Sequence, residues 1–323
     1  MTSEANNEPS PARPLRLAGI DLGTLTCRLL VADLPSGGNS LKELRSDRRI
    51  LRLGEGVDQT KRLSHTAIDR VIRCLRDWRT VIDRYHVDGS SAVATSAVRD
   101  AANRDEFLER VKLETGFEVE VITGGEEARR TLLGIRSGLP VGVTDILALD
   151  IGGGSTEFIL DRQAQKPIVQ SIDVGVVRLC ERLLHHDPPT EDEVRHAREW
   201  VARQTQAAVA GMGNYRTATF VGTAGTITSL AAMAQKLPVY ERARIHNYGL
   251  EFSTVQELER TLLSRTKADR MGLPGLEKDR EEVIVAGAII LVTVMETLRL
   301  KDCVVSDLGL REGVLLHLAA GMS

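Results

Sequence analysis

Aromatic residues are scarce in this chain. They make up 3% of its 323 residues, with two Trp, four Tyr and five Phe. Proteins that bind single-stranded nucleic acid without sequence preference stack its bases on aromatic side chains, so this composition argues against such a platform. The formal net charge of −3 provides no overall attraction for a polyanion either. We therefore expect no nucleic-acid polymer as a partner, and any phosphate recognition must come from a local site.

Cysteines are few and far apart: Cys27, Cys74, Cys180 and Cys303. They form no CxxC pair, which argues against a zinc site and indicates small buried side chains in a reducing compartment. We do not expect residues 1–14 to be a signal peptide, because they lack an apolar core, and the apolar run of residues 283–294 is too short to span a bilayer. Residues 1–14 are polar and contain prolines, which predicts a disordered tail. We expect a cytoplasmic protein that does not enter membranes.

Glycine is concentrated in loops that follow apolar segments, most clearly in residues 148–157. There, an apolar run ends in Asp150, three glycines follow, and Ser155, Thr156 and Glu157 complete the loop. Glycine lets backbone N–H groups crowd around an anion, and hydroxyl groups add further donors. Carboxylates beside a phosphate repel it unless a hard cation such as Mg²⁺ lies between them. The pattern therefore predicts a metal–phosphate site.

A similar unit occurs near the start of the chain. Asp21 ends an apolar run and is followed by Gly23 and Thr24. A β-prone segment resumes after each loop, over residues 26–32 in the first unit and 156–160 in the second. Both units therefore form strand, tight turn and strand, unlike the strand–loop–helix of a P-loop. Two such hairpins about 130 residues apart indicate two related domains that face a shared cleft.

Apolar periodicity predicts helices that alternate with strands throughout the chain. The predicted helices cover residues 64–85, 105–114, 126–133, a segment ending at 184, 190–212, 229–236, 254–267, 280–300 and 311–319, and further strands cover residues 91–97, 117–122, 168–174 and 303–306. This alternation predicts an α/β fold. We expect domain I over residues 15–133 and domain II over residues 134–307, with the C-terminal helix of about 308–323 packing back on domain I.

The sequence resembles the exopolyphosphatase and guanosine pentaphosphate phosphohydrolase (Ppx/GppA) family, in its short two-domain form. The segments that carry this resemblance are, in chain order, Asp21-Leu22-Gly23, residues 52–56, 94–99 with Asn103, 125–128, 150–157, 175–179, 222–226, 273–276 before Arg280, and 306–313. The resemblance implies an actin-like ATPase (ribonuclease H-like) fold, in which two related domains face a central cleft. It also implies a homodimer.

The resemblance assigns roles to residues at matching positions. Glu127 would deprotonate the attacking water, and Glu157 would share in this step. Asp150 and Glu157 would hold Mg²⁺, or alternatively Mn²⁺, and Asp21 would hold a water molecule of the metal across the cleft. The residues expected to bind phosphate are Gly23, Thr24, Thr26, Arg99, Gly153, Gly154, Ser155, Thr156, Gly222, Gly225, Thr226 and Arg280.

Leu25 departs from the family pattern, because the first loop of the family usually has asparagine at this position. A leucine cannot supply the amide, so one phosphate or metal-water contact is lost. A cluster of basic residues follows this loop: Arg45, Arg48, Arg49 and Arg52. Such a cluster could steer polyphosphate towards the cleft, but we predict a solvated strand edge.

The leading functional hypothesis is a Mg²⁺-dependent exopolyphosphatase that releases terminal orthophosphate from inorganic polyphosphate. The same chemistry would remove the 5′ γ-phosphate of guanosine pentaphosphate (pppGpp), and no residue separates these two substrates. A non-catalytic sensor of guanosine tetraphosphate or pentaphosphate is a third possibility, and the Leu25 substitution is compatible with it. An ATP-binding actin-like kinase or filament protein is a fourth, although residues 94–99 and 126–127 argue against it.

Overall fold

The computed structural model describes residues 13–38 and 40–322, so most of the expected tail, residues 1–12, lies outside the described residues. The first of two sheets contains β1 (Leu15–Leu22), β2 (Thr26–Leu34), β3 (Lys42–Ile50), β4 (Gly89–Ala94) and β5 (Val119–Val121). The second contains β6 (Ile146–Ile151), β7 (Thr156–Asp161), β8 (Ile168–Ile172), β9 (Thr219–Thr223), β10 (Gly249–Glu251) and β11 (Asp302–Val305).

Both sheets have the same core topology. The first has the strand order β3-β2-β1-β4-β5, and the order β8-β7-β6-β9-β11 in the second reproduces it, with β10 added at the edge. In each sheet the first three strands form an antiparallel meander, and the next strand pairs in parallel with the first. This repeat confirms the predicted α/β fold with two related sheet-and-helix domains.

The helices cover the sheets and connect their strands. They are α1 (Val57–Thr60), α2 (His65–Tyr85), α3 (Ser96–Arg99), α4 (Arg104–Thr115), α5 (Gly124–Arg136), α6 (Val176–Leu183), α7 (Glu191–Val209), α8 (Ala224–Ala234), α9 (Arg242–Ile245), α10 (Phe252–Leu263), α11 (Lys267–Arg270), α12 (Ile284–Leu298) and α13 (Leu310–Met322). Within the described residues, no helix combines the length and apolarity needed to cross a bilayer.

Local sequence signals explain several of these helix boundaries. The Ser64 side chain caps α2 by accepting a hydrogen bond from the Ala67 N–H. Thr190 and Glu193 form the capping box that opens α7. Helix α12 is apolar on all sides except near its end, and nearly every residue of it is buried in the core of the second domain.

Several predicted elements have different boundaries in the structure. The helix expected over residues 229–236 is α8, which already begins at Ala224, and the helix expected over residues 254–267 ends at Leu263. The strand expected over residues 91–97 ends at Ala94, because its neighbour β1 ends at Leu22, the last residue that pairs with it. Ser96 instead begins the short helix α3. The helix expected from residue 280 begins only at Ile284.

Helices α5 and α13 lie between the two domains. Ala128 and Ile135 of α5 pack on the second sheet, whereas Leu315 of α13 packs against Leu17 of the first sheet. The expected domain boundary between residues 133 and 134 therefore falls inside α5. We refer below to the first domain (residues 15–122) and the second domain (residues 146–305), with α5 and α13 between them.

Candidate active site

A cavity of about 70 Å³ opens between the two domains, where the β1–β2 turn faces the β6–β7 turn. The start of α8 and the start of α5 complete its wall. The predicted site residues that line it are Asp21, Gly23, Thr24, Thr26, Glu127, Asp150, Gly153, Ser155, Gly225, Thr226 and Arg280. The fold thus brings together groups from both glycine-containing turns and from the third glycine loop.

The β6–β7 turn approaches the first domain so closely that glycine is required at positions 153 and 154. A Cβ atom added to Gly153 would lie 2.8 Å from Thr24 Cβ, and one added to Gly154 would lie 2.6 Å from Ser96 Oγ. The Thr24 and Ser96 hydroxyl groups are themselves hydrogen-bonded at 2.8 Å. The triple-glycine loop therefore rests directly on the first domain.

The carbonyl groups of the triple-glycine loop are all held by α6. The Gly152 and Gly153 carbonyls accept hydrogen bonds from the N–H groups of Val176 (3.0 Å) and Val177 (2.8 Å). The Gly154 carbonyl accepts one from Arg178 Nε at 2.8 Å. In a trans peptide the C=O and N–H groups point in opposite directions. The N–H groups of residues 153–155 therefore point away from α6, and such a run of amides forms an anion-binding concavity.

The start of α8 supplies further N–H donors to the same cavity. The first N–H groups of a helix have no partner within it and carry the positive end of the helix dipole, which favours an anion there. Gly225 and Thr226 lie in this first turn and line the cavity. The Arg280 guanidinium lies so close to Gly225 that a Cβ atom would overlap it.

Four buried carboxylates converge on one side of the cavity. Asp150 on β6 lies directly opposite Glu157 on β7, and Asp21 lies near the end of β1. Burial raises the pKa of Asp21 to about 6, and burial with repulsion from Asp150 raises the pKa of Glu157 to about 8. Burial also raises the pKa of Asp150, and that of Glu127 is raised well above its ordinary value by burial and by the charges of Glu157 and Asp150.

This carboxylate group fits a hard cation that is shared with a substrate. Asp21 Oδ1 and Glu157 Oε2 are buried without a hydrogen-bond partner, and carboxylate oxygens are the ligands that Mg²⁺ prefers. Among residues 13–38 and 40–322, however, no three acidic, His or Cys side chains lie close enough to hold a metal by themselves. A magnesium ion would therefore need phosphate oxygens and water as additional ligands, which is its usual mode of binding beside phosphates.

Three guanidinium groups lie close to these carboxylates: Arg28 and Arg280 line the cavity, and Arg48 is near enough for its pKa to be affected by both. Burial and mutual repulsion lower the pKa of Arg48 and of Arg280 to about 10, with Arg28 contributing to both shifts. The Arg28 side chain lines the cavity and makes no hydrogen bond or ion pair within the described residues, but its charge lowers the pKa of both Asp21 and Asp150 against the effect of burial. Because like charges are held together here, the cluster of Arg28, Arg48 and Arg280 favours a bound polyanion.

Comparison with known proteins agrees with this geometry. Residues 30–321 match the model of the Ppx/GppA phosphatase family. The chain belongs to the Ppx/GppA family. Exopolyphosphatase 2 of Mycobacterium tuberculosis is 36% identical over 315 residues, which cover 94% of this chain and 98% of that protein.

Solved structures of the Ppx/GppA family share the fold over almost their whole length. The crystal structure of the Aquifex aeolicus family member has a TM-score of 0.80 and 33% identity, with 96% of this chain and 99% of that chain covered. An exopolyphosphatase from Cytophaga hutchinsonii has a TM-score of 0.86 and 28% identity, with 95% and 98% covered. The expected family is thus confirmed, and the structure has the expected arrangement of two related domains around a cleft.

The remaining predicted site residues lie outside the cavity wall. Arg99 Nη1 is 3.4 Å from Glu127 Oε2 and donates to the Ile122 carbonyl at 3.0 Å, so this arginine lies where it can orient Glu127. Glu157 is 1% exposed and lies behind Asp150, with its Oε1 accepting a hydrogen bond from Ser171. Their roles in this Ppx/GppA protein stay predictions.

Two expected phosphate ligands are placed elsewhere. The Thr156 hydroxyl is fully buried and donates to the Val174 carbonyl at 2.5 Å, so it is not available to a ligand. Gly222 lies within β9, where a Cβ atom would overlap the Cys303 and Ile227 side chains, so its lack of a side chain serves core packing. Neither residue is retained as a phosphate ligand.

Other site residues were missed or misread from the sequence. Arg28 is the one charged residue in the first half of β2, and this break in an apolar strand was the available signal. Arg45 is exposed on the edge strand β3, as predicted for the basic cluster, but Arg48 on the same strand is half-buried in the guanidinium cluster. Leu25 is 5% exposed and packs in the apolar core of the second domain.

Proposed function

We propose that this protein hydrolyses the terminal phosphoanhydride bond of inorganic polyphosphate and releases orthophosphate, with Mg²⁺ as cofactor. The observation that carries the proposal is the set of groups that meet at one cavity. Buried carboxylates, the guanidinium groups of Arg28 and Arg280, and the N–H groups of the triple-glycine loop and of the first turn of α8 all lie at its wall. A chain of phosphates with a divalent cation complements all three features.

The proposed mechanism assigns a separate task to each part of the cavity. The N–H groups of residues 153–155 and of the first turn of α8 bind the terminal phosphoryl group and orient it for in-line attack. When bound, Mg²⁺ would supply positive charge to the phosphate oxygens, next to Asp150 and Asp21. Glu127 lines the cavity and accepts a proton from the attacking water, while Arg99 orients its carboxylate.

The guanidinium cluster would hold the phosphates that follow the terminal one. A guanidinium group donates to two phosphate oxygens at once, and its charge persists at any physiological pH. Among the described residues, the Arg28 side chain makes no hydrogen bond or ion pair, although its charge acts on Asp21 and Asp150. Arg280 keeps one ion pair, at 2.7 Å, with Glu277, which also pairs with Arg48. The name of the Mycobacterium tuberculosis relative, an exopolyphosphatase, agrees with this assignment.

A guanosine pentaphosphate 5′-phosphohydrolase is the second candidate, and a neighbouring cavity favours it. This cavity, of about 340 Å³, shares Arg28, Asp150, Ala224 and Leu310 with the first. The rest of its wall includes Arg48 of the guanidinium cluster and the carboxylate of Asp307. The guanidinium groups can bind the phosphates of either substrate, whereas carboxylate oxygens can accept hydrogen bonds from a nucleoside, a use of this space that inorganic polyphosphate does not have.

Orthophosphate release with Mg²⁺ tests the proposal directly. Long-chain polyphosphate, short-chain polyphosphate, pppGpp and ATP are compared as substrates of the wild-type protein and of Glu127→Gln. Loss of the general base should lower turnover by about 10²- to 10⁴-fold with little change in substrate binding. Glu126→Gln is the matched control, because Glu126 is on the same helical turn but pairs with Arg129 and Arg130.

Each outcome of this comparison is informative. Release from polyphosphate that disappears in Glu127→Gln and persists in Glu126→Gln would support the exopolyphosphatase proposal. Preference for pppGpp would support the second candidate on the same machinery. Binding without release from any substrate would contradict both and favour a sensor, and unchanged turnover in Glu127→Gln would remove this residue from the mechanism.

A further inference from the structure

One buried guanidinium group joins the triple-glycine loop to the first domain. Arg178 lies on α6 in the second domain and is 7% exposed. Its Nε donates to the Gly154 carbonyl at 2.8 Å. Its two terminal nitrogens donate to Asp58 at 2.5 Å and to Asp100 at 2.7 Å. All three branches of the guanidinium group are therefore used, one within its own domain and two across the cleft.

The two carboxylate partners of Arg178 belong to short helices of the first domain. Asp58 lies on α1, and Asp100 caps the end of α3. Burying a guanidinium group is costly unless carboxylates balance its charge and acceptors bond to its N–H groups. Hydrogen bonds to carboxylates do both, and they are stronger than hydrogen bonds between neutral groups. If the domains separate, Arg178 loses both of these carboxylates and keeps the Gly154 carbonyl and, 3.9 Å from its Nη2, the exposed carboxylate of Asp173 in its own domain.

The surrounding contacts show that the domains are closed on this side. The Gly56 N–H donates to Glu181 Oε1 at 2.8 Å across the same boundary. Leu25, from the β1–β2 turn, is buried in the apolar core of the second domain. The triple-glycine loop rests on Thr24 and Ser96, as described above. The conformation of this loop therefore coincides with domain closure in the structure.

We propose that Arg178 is a positioning residue that holds the triple-glycine loop in its phosphate-binding conformation only while the two domains are closed. The hydrogen bond to the Gly154 carbonyl turns the Ser155 N–H towards the cavity, because both groups belong to one peptide plane. Asp58 and Asp100 fix the guanidinium group that makes this bond. The inference rests on the proposed function, since the loop binds phosphate there, but its central claim concerns conformation.

The distance between the domains tests this claim without any turnover. Spin labels on cysteines introduced at Leu113 and Val239, which are 78% and 69% exposed, report on the first and second domain, with Cys180→Ala to prevent labelling elsewhere. Distances are measured with Mg²⁺ and orthophosphate. Arg178→Gln should lengthen and broaden the distance distribution, and should lower kcat by about 10- to 10²-fold, the cost of misplacing a reacting group.

Two further variants separate closure from loop positioning. Arg178→Lys keeps a cation for Asp58 and Asp100 but has no second nitrogen for the Gly154 carbonyl. It should restore the short distance while kcat stays low. Arg182→Gln is the matched control, because Arg182 also pairs with Asp58 but does not contact the loop. It should keep the short distance and change kcat by less than about threefold, because Arg182 is itself partly exposed and Asp58 keeps Arg178 as a partner.

A double-mutant cycle completes the test. Arg178→Gln and Asp100→Asn remove the same contact, so their effects on the distance and on kcat should be far from additive. Because Asp100 is partly exposed, Asp100→Asn should fold. If Arg178→Gln does not fold, Asp100→Asn alone can be used to measure the distance and kcat. Unchanged distances in both variants, or additive effects, would overturn the proposal. Distances that respond in a protein without phosphatase activity would leave the closure role standing while the proposed function fails.

Discussion

At the scale of single residues, Arg28 shows how one position alters what the cavity can bind. It lies on β2 directly opposite Asp21, in a segment that is otherwise apolar or hydroxyl-bearing. Its charge lowers the pKa of Asp21, against the stronger effect of burial. No motif marks such a residue, because its neighbours in the cluster, Arg48 and Arg280, lie 20 and 252 positions later in the chain. Only the fold reveals that these three cations meet.

Replacing Arg28 should weaken substrate binding more than it slows the chemical step. Arg28→Gln removes a hydrogen-bonding cation that contacts phosphates beyond the reacting one, so KM for polyphosphate should rise by about 10- to 10²-fold, as expected for loss of a hydrogen bond to a charged group. Steady-state phosphate release measures this effect. Arg45→Gln is the control, because Arg45 is exposed on the neighbouring strand β3. Equal KM values for the wild type and Arg28→Gln would exclude Arg28 from binding.

At the scale of secondary-structure elements, the crossing of α5 and α13 connects the two domains. A Cβ atom added to Gly313 of α13 would overlap the Arg130 carbonyl of α5, and one added to Gly134 would overlap the Gly309 carbonyl. The periodicity of the sequence predicts both helices, but it does not predict this contact. The reason is that helix spacing and caps are local signals, whereas the partner of a helix lies about 180 residues away.

Substitution of Gly313 should therefore destabilise the protein, although alanine is the better helix former. Gly313→Ala should lower the free energy of unfolding by about 1–3 kcal/mol, the usual cost of overpacking, because backbone atoms of α5 cannot move aside. Gly321 on the same helix has no atom within 4 Å of an added Cβ, so Gly321→Ala should be neutral or stabilising. Denaturant unfolding compares the two variants. Similar stability of both would mean that the helix crossing is looser than described.

At the scale of the whole molecule, a small net charge conceals a dense group of buried charges. The chain carries 42 basic and 45 acidic residues. Even so, several carboxylates are buried together at the cleft, and guanidinium groups are buried beside them. Buried like charges repel each other, so this grouping lowers the free energy of unfolding in the absence of a ligand. Binding of Mg²⁺ and phosphate would relieve the repulsion and stabilise the folded state.

The burial of these carboxylates predicts how the stability of the metal-free protein depends on pH. The pKa of Asp21 rises from 3.8 to about 6 and that of Glu157 from 4.5 to about 8, so the folded state binds more protons than the unfolded state between these values. These groups therefore reduce stability as the pH rises from about 4 to about 8. Thermal unfolding with a chelator should show the melting temperature falling over this range, and Mg²⁺ should reduce the fall.

Asp21→Asn is the control for this pH prediction. The variant should melt at a higher temperature than the wild type near pH 8 without metal, since a buried charge has been removed, and its melting temperature should depend less on pH. It should also respond less to Mg²⁺. A wild-type melting temperature that rises between pH 5 and pH 8 without metal, or an equal pH dependence in Asp21→Asn, would contradict the prediction.

The sequence by itself determined the fold class, most helices and strands, the capped ends of α2 and α7, and the family. These features follow from apolar spacing, glycine loops and caps, which act over a few residues. Only the tertiary structure decided that Arg28 and Arg48 join Arg280, that the Thr156 hydroxyl bonds to the Val174 carbonyl, that Gly222 serves core packing, and that Leu25 enters the core of the second domain. The physical reason is that burial and electrostatic coupling depend on which surfaces meet when two domains close, and residues far apart in sequence supply those surfaces.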